Sequence, residues 1–332
     1  MQVVIDTAQT KISVKDGCFY ISSPHHKRQI HPRRLSSIAV YANTLINSSA
    51  MMLAVDYQIP ILYFDRIGRI RARIASPYFV NLASLRRKQL LVWGTPLATE
   101  LAANQLIIKL SGQEILLNRL KTQRANARAK LTGILAQVSV VKEKLELERK
   151  RPLGEARSSL MGIEGGFARA YWAGLSACLE DPYRFGKRSR RPARDLFNAA
   201  LNYLYGMGYT VVESAIFATG LDPFVGYLHV ENYRKTSLVF DLIEPFRPLI
   251  DGLLVGLCQE KVLNPTHFDS NGGAFSLNRA GKKIVIPAFN GFLETRVKFQ
   301  ENVRSFRDHI FHYCSQYAKT INQFPYDVPD HL

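Results

Sequence analysis

Three short segments place a carboxylate or an imidazole among small and apolar neighbours, where an ionisable group needs a partner. The first is Met161-Gly162-Ile163-Glu164-Gly165-Gly166-Phe167, in which the glycines let a second backbone or a phosphate approach Glu164. The second is Gly226-Tyr227-Leu228-His229, shortly after Asp222-Pro223, a pair that reads as a capped helix start. The third is Phe240-Asp241-Leu242-Ile243-Glu244-Pro245-Phe246-Arg247-Pro248. Asp241 and Glu244, three apart, share a helix face and repel unless a cation lies between them or one is protonated. Pro245 removes a backbone donor directly after Glu244. Carboxylates with one imidazole suit Mg2+ or Mn2+, the nitrogen making Mn2+ a comfortable occupant. In phosphoryl transfer such a metal polarises a phosphodiester oxygen and stabilises charge on the attacking and leaving oxygens.

Each member also has a structural explanation. Glu164 pairs readily with a nearby arginine such as Arg169, and a lone histidine is usually a hydrogen-bonded core or surface residue. Asp241 and Glu244 could simply flank Arg247 in an ion-pair face, so residue chemistry alone leaves both readings open. His309, His312 and Cys314 imitate a metal box, but on a polar C-terminal helix they are expected to be exposed. His25, His26 and His31 belong to a basic loop with Lys27, Arg28, Arg33 and Arg34. The chain has no Walker loop, no GxGxxG after a strand and no GxSxG elbow. Nucleotide-driven and serine hydrolase chemistry are therefore poorly supported.

Charge points to the partner. Lys plus Arg number 44 against 27 Asp plus Glu, a net +17 that favours a polyanion, since each phosphate contact releases condensed counterions, although an anionic membrane surface would attract it too and charge alone does not choose. The densest basic run holds Arg184, Lys187, Arg188, Arg190, Arg191 and Arg194, six cations in eleven residues, with Tyr183 and Phe185 interleaved to stack or pack. Phosphate contact is the better reading of that run than a merely solvated loop, with Lys187, Arg188, Arg190, Arg191 and Arg194 as the DNA-binding candidates. No uninterrupted apolar stretch is long enough to span a membrane. The N-terminus lacks the basic start and apolar run of a signal peptide, and Cys18, Cys178, Cys258 and Cys314 are scattered without a CxxC pair. Buried thiols in a reducing cytoplasm are expected.

The elements that must position these groups change character along the chain. Up to about residue 76, short β-branched or aromatic runs (Val3-Val4-Ile5, Lys11 to Val14, Cys18 to Ile21, Ser37 to Val40, Ile59 to Phe64) predict strands. A helix over Asn47 to Val55, capped by Asn47 or Ser48, interrupts them, and Arg66-Ile67-Gly68 is a hairpin loop. From Pro77 the apolar period becomes helical, and Lys121 to Arg151 is a long solvated segment with a loop near Thr132-Gly133. Ala193 to Met207 is predicted as one helix ending near Gly206 or Gly208, and Val211 to Thr219 as a second, stopped by Gly220. Ser237 to Leu257 is a buried helix that Pro245 and Pro248 must bend or split. The fold class is α+β in two domains, a β-rich domain over 1–76 and an all-α domain over 77–332 carrying the chemistry.

Taken in order, several blocks are specific. Gly162-Ile163-Glu164-Gly165, Arg190-Arg191-Pro192 with Asn198-Ala199-Ala200-Leu201-Asn202-Tyr203, Gly220-Leu221-Asp222-Pro223 leading to Gly226-Tyr227-Leu228-His229, and Ser237 to Pro248 together resemble the CRISPR-associated adaptation integrase family, Cas-one. The likeness extends over nearly the whole chain, because Ser37 to Ile74 resembles the family's N-terminal β domain. It implies a homodimer that works with the small partner Cas-two and inserts short DNA fragments into a CRISPR array. The implied chemistry is transesterification, a 3′-hydroxyl attacking a phosphodiester on double-stranded or branched DNA, alongside metal-dependent nuclease activity. By match to the family pattern, Glu164, His229 and Glu244 are the catalytic metal ligands for Mg2+ or Mn2+, and Asp241 is a supporting carboxylate. Some members carry Asp where Glu244 stands, which leaves the division of labour between Asp241 and Glu244 to be resolved by geometry. The rival readings are a non-catalytic DNA-binding assembly protein and a branched-DNA nuclease without an integration role.

Overall fold

The computed structural model describes residues 1–35, 37–64, 70–74, 83–229 and 236–325. They fall into two compact units, Met1–Asn81 and Leu82–Leu332.

In the first unit the elements are β1 (Gln2–Ile5), β2 (Thr10–Lys15), β3 (Cys18–Ser22), β4 (Lys27–Ile30), β5 (Ser37–Val40), β6 (Thr44–Ile46), α1 (Ser48–Asp56), β7 (Ile61–Phe64) and β8 (Ile70–Ile74). They form two four-stranded sheets, ordered β1-β5-β7-β8 and β4-β3-β2-β6. In the first, β1, β5 and β7 run parallel and β8 returns antiparallel to β7. Their β-branched residues Val3, Ile5, Ile38, Val40 and Ile61 meet Ile12, Phe19, Ile21 and Ile46 of the other sheet in one core. The β2–β3 turn places Asp16 and Gly17 in the left-handed region, the backbone a two-residue hairpin turn requires. Asn47 caps α1, its Oδ1 accepting from the Ala50 N–H at 2.8 Å, as expected. The basic loop expected around His25 and His31 is partly strand, because Lys27 to Ile30 pairs with β3. The loop expected at Arg66-Ile67-Gly68 lies outside the described residues; the strands flanking it pair antiparallel.

The second unit contains α2 (Ala83–Val92), α3 (Pro96–Gln123), α4 (Arg128–Leu135), α5 (Val138–Glu148), α6 (Leu153–Ala177), α7 (Leu196–Ala218), α8 (Ser237–Leu242), α9 (Arg247–Gln259), β9 (Phe268–Asn271), β10 (Ala274–Leu277), α10 (Arg279–Glu294), β11 (Arg296–Phe299), β12 (Asn302–Ser305) and α11 (Phe306–Asn322). Two short hairpins, β9–β10 and β11–β12, interrupt what the sequence predicts to be an all-α body. α3 is the central element, 28 residues long, and packs against α4, α5, α6 and α9. Tyr171, Phe197, Tyr227, Phe246, Phe289 and Phe306 are fully buried in the core around it. Among the described residues, no helix is long and apolar enough to cross a membrane.

Three expected boundaries move. Thr132-Gly133 lies inside α4, and the break falls at Ala136 and Gln137. The two helices expected on either side of Gly208 are one, α7. There a Cβ would stand 2.9 Å from the Cδ1 atoms of Ile243 and Ile250, so Gly208 serves close packing rather than termination. No helix starts at Asp222-Pro223. The Gln89 side chain instead binds this stretch as a backbone would, donating to the carbonyls of Asp222 and Val225 and accepting from the Asp222 N–H, each at 2.9 Å. The Ser237 to Leu257 segment does split at its prolines, into α8, a 3-10 turn Glu244–Phe246, and α9. Pro245 and Pro248 occupy first-turn positions, where a missing N–H costs nothing.

Candidate metal centre

Glu164 sits midway along α6. Leu153, Ala156, Leu160, Phe167 and Tyr171 bury one face of that helix, and Glu164, four residues after Leu160 and three before Phe167, shares that face while keeping part of its surface exposed. A Cβ at Gly162, Gly165 or Gly166 would meet nothing within 4 Å, so the side of the helix turned away from Glu164 is open. Its partner is not Arg169: Glu164 Oε1 accepts from Lys109 Nζ of α3 at 2.5 Å.

His229 lies in the loop that follows α7, and Asp241 of α8 fixes it. Asp241 is wholly buried, and its Oδ2 accepts the N–H groups of Tyr227 (2.6 Å) and Leu228 (2.9 Å). Its Oδ1 accepts the N–H of His229 at 2.9 Å and lies 2.7 Å from the same residue's Nδ1. A carboxylate gathering N–H donors is an acceptor only, so the ring proton is assigned to Nδ1 and the lone pair of Nε2 is left for another ligand. This approach needs Gly226, where a Cβ would fall 2.8 Å from the Ser237 carbonyl carbon and 2.9 Å from Asp241 Oδ2.

Glu244 opens the 3-10 turn between α8 and α9 and is 5% exposed. Its Oε1 accepts from Arg247 Nε at 2.9 Å and lies 3.9 Å from His229 Nε2. Its Oε2 lies 2.7 Å from Lys109 Nζ and has no hydrogen bond of good geometry. Burial pushes the carboxyl up, but Arg247 and then Lys109 outweigh it and hold the group far below the ordinary carboxylate range. Arg247 lies over the rings of Tyr205 (4.6 Å) and Tyr209 (5.6 Å) and donates to Tyr209 Oη at 3.3 Å. Of the two carboxylates expected on one helix face, Asp241 turns back to its own loop and Glu244 faces Lys109.

Lys109 is the residue that sequence reasoning missed. Burial pulls its ammonium down, but Glu244 and Glu164 outweigh that and hold it above its ordinary range. A signal was available: Gln105, Lys109 and Gln113 recur every four residues among Leu106, Leu110 and Leu117, and all three are buried. A polar stripe on the buried face of a helix implies a polar partner.

The donor set fits a divalent cation in kind: two carboxylates, an imidazole with its second nitrogen held by a carboxylate, and a buried Glu244 oxygen that faces a cation. As the side chains stand, no group of three His, Cys, Asp or Glu among the described residues is close enough to hold a metal ion. Lys109 stands between Glu164 and Glu244, two of the three candidate ligands.

The basic run lies on the loop between α6 and α7. Lys187, Arg190, Arg191 and Arg194 are exposed. Arg188 turns inward, donating to Asn198 Oδ1 and Asn202 Oδ1 at 2.7 Å each and lying over the rings of Trp172 and Tyr205. The interleaved aromatics pack rather than offer a stacking surface: Phe185 stacks on Phe197 and Tyr183 Oη donates to the Leu263 carbonyl. His309 is buried rather than exposed, with Nε2 2.9 Å from the Val297 carbonyl, and Cys314 is buried beside it on α11. These two belong to the core that seats the β11–β12 hairpin, because the apolar face of α11 extends to them.

The family model for "CRISPR associated protein Cas1" matches residues 3–291. A CRISPR-associated endonuclease Cas1 of Thermus thermophilus is 31% identical over 258 residues, covering 77% of this chain and 75% of the relative. Among solved structures, a casposase bound to integration product superposes with a TM-score of 0.82 at 21% identity, covering 97% of this chain and 90% of that one. A chain of a Cas6-RT-Cas1–Cas2 complex gives a TM-score of 0.78 at 18% identity, over 97% of this chain and 35% of that one.

Proposed function

The chain belongs to the CRISPR-associated Cas1 family, whose curated relatives include named endonucleases, and from that premise we propose that Glu164, His229 and Glu244 hold the divalent metal of a DNA-cutting and DNA-joining site. The observation that carries this reading is the meeting of Glu164, from α6, and Glu244, from the α8–α9 turn, on one cation, with His229 Nε2 3.9 Å from Glu244. Mg2+ or Mn2+, when bound there, would polarise a phosphodiester oxygen and favour the charge on the attacking and leaving oxygens. The protein's own groups set the rest. Asp241 orients the imidazole and Arg247 fixes the rotamer of Glu244.

Lys187, Arg190, Arg191 and Arg194 are the exposed cations we assign to DNA phosphates, and Arg188 is the residue that anchors their loop. The casposase neighbour, bound to integration product, supports transesterification by a 3′-hydroxyl as well as hydrolysis. The Cas1–Cas2 complex supports a Cas2-type partner, and we place a homodimer contact on the β-rich unit. The test is strand transfer and cleavage on a plasmid carrying a repeat array, in Mn2+ or EDTA. Glu164→Gln and His229→Ala are expected to abolish both products and to bind DNA as the wild type does. Full strand transfer by both variants would remove the assignment; cleavage without joining by the wild type would favour the branched-DNA nuclease.

A further inference from the structure

Lys109 occupies the point where the two proposed carboxylate ligands meet. Its Nζ lies 2.5 Å from Glu164 Oε1 and 2.7 Å from Glu244 Oε2, and its side chain is 9% exposed. The three residues come from α6, the α8–α9 turn and α3, so the ammonium ties together elements that are distant in sequence. With Arg247 on the other oxygen of Glu244, two positive charges face these two negative ones, and Asp241 behind His229 adds one more negative charge. A divalent cation sharing the same two carboxylates would stand directly beside the ammonium and turn the cluster from a net negative charge to a net positive one. That arrangement is unfavourable in a buried setting. The lysine stem is long and flexible, so the head group can leave while the stem stays packed.

We infer that Lys109 is the positioning residue of this centre: it holds Glu164 and Glu244 at one point before a divalent cation is bound, and loading is an exchange in which the ammonium leaves the two carboxylates. The inference rests on the metal assignment made above. Two consequences follow from the exchange. The ion pairs lost on loading lower the apparent affinity for the cation, since the competent arrangement is only part of the ensemble. Without Lys109 the carboxylates repel each other until a cation arrives, so the cation-free protein loses stability and gains more of it back on loading.

The experiment is calorimetric titration of the full chain with Mn2+ alone, for the wild type, Lys109→Met and Lys109→Gln, with thermal melting at each Mn2+ concentration. Both variants are expected to bind Mn2+ about tenfold tighter than the wild type, the loss of one ion pair corresponding to roughly that factor. They should also melt lower without Mn2+ and rise further with it. Affinity equal to or weaker than the wild type overturns the exchange while leaving the metal site standing. Failure of the wild type and both variants to bind Mn2+ overturns the metal assignment and the exchange with it. A measurement on the wild type needs no variant to fold: amine acylation at Lys109, followed by peptide mass spectrometry. Acylation is expected to be slow without Mn2+ and faster with it; equal rates reject the exchange.

Discussion

Asp241 and His229 are joined twice, because one carboxylate oxygen accepts the backbone N–H of His229 at 2.9 Å and lies 2.7 Å from Nδ1 of its ring. With the other oxygen taken by the N–H groups of Tyr227 and Leu228, Asp241 has committed both oxygens to its own loop. Glu244 has an oxygen that, among the described residues, Lys109 alone approaches. The geometry therefore gives Asp241 the task of building the histidine loop and leaves Glu244 as the carboxylate able to take a cation.

Asp241→Asn replaces one acceptor by an N–H2 donor that must face backbone donors. Leaving buried donors unsatisfied costs about 1–3 kcal/mol each, so a loss of roughly 2–4 kcal/mol in urea denaturation is expected. Glu244→Gln should leave the His229 loop intact and remove Mn2+ binding. The opposite pattern, wild-type stability in Asp241→Asn together with complete loss of its Mn2+ binding, would make Asp241 the direct ligand.

Arg188 and its neighbours should separate cleanly. Arg188→Ala breaks bonds to Asn198 and Asn202 and uncovers the Trp172 and Tyr205 rings, so its effect is on folding, about 1–3 kcal/mol. Arg190→Ala and Arg191→Ala remove exposed cations, leave stability within about 0.5 kcal/mol and each lower the salt dependence of DNA binding by about one counterion. The measurements are thermal melting and DNA affinity between low and moderate salt. An unchanged salt slope in Arg190→Ala and Arg191→Ala would take these two residues out of the DNA interface.

Asp251 supplies a pH signature. Buried on α9, it accepts from Tyr171 Oη at 2.7 Å and Tyr205 Oη at 2.5 Å. Burial raises its pKa from 3.8 to about 6, the tyrosine hydrogen bonds acting the other way. Between those values the folded chain holds more protons than the unfolded one, so this group's contribution to stability is complete below 3.8 and is lost as pH rises through about 6. Asp251→Asn has no such titration. The wild type's stability relative to Asp251→Asn should therefore fall from pH 4 to pH 7, by roughly 1–3 kcal/mol, measured by urea denaturation at each pH. A difference constant over that range would mean that burial does not govern Asp251.

How much of this was legible depends on how local the cause is. The capping of α1 by Asn47, the β-branched strands and the splitting of the Ser237 to Leu257 segment at Pro245 and Pro248 all follow from one or two neighbouring residues. The ordered blocks around Glu164, His229 and Glu244 likewise carried the family, and with it the identity of the candidate ligands. What required the folded chain was every relationship between segments. Gln89, over a hundred residues away, replaces the helix expected after Asp222 by a side-chain-bound loop. Gly208 looks like a stop signal until Ile243 and Ile250 are seen pressing on it. Arg188 reads as a phosphate ligand until Asn198 and Asn202 claim it.

By itself, then, the sequence determined the α+β class, the basic partner-seeking charge and the short list of residues able to hold a metal, since composition, periodicity and motif order are all local properties. Only the tertiary structure decided that Asp241 builds the histidine loop, that Glu244 faces Lys109 and that Lys109 joins it to Glu164. The physical reason is that a buried charge is defined by what surrounds it, and its neighbours arrive from helices that sequence spacing does not bring together.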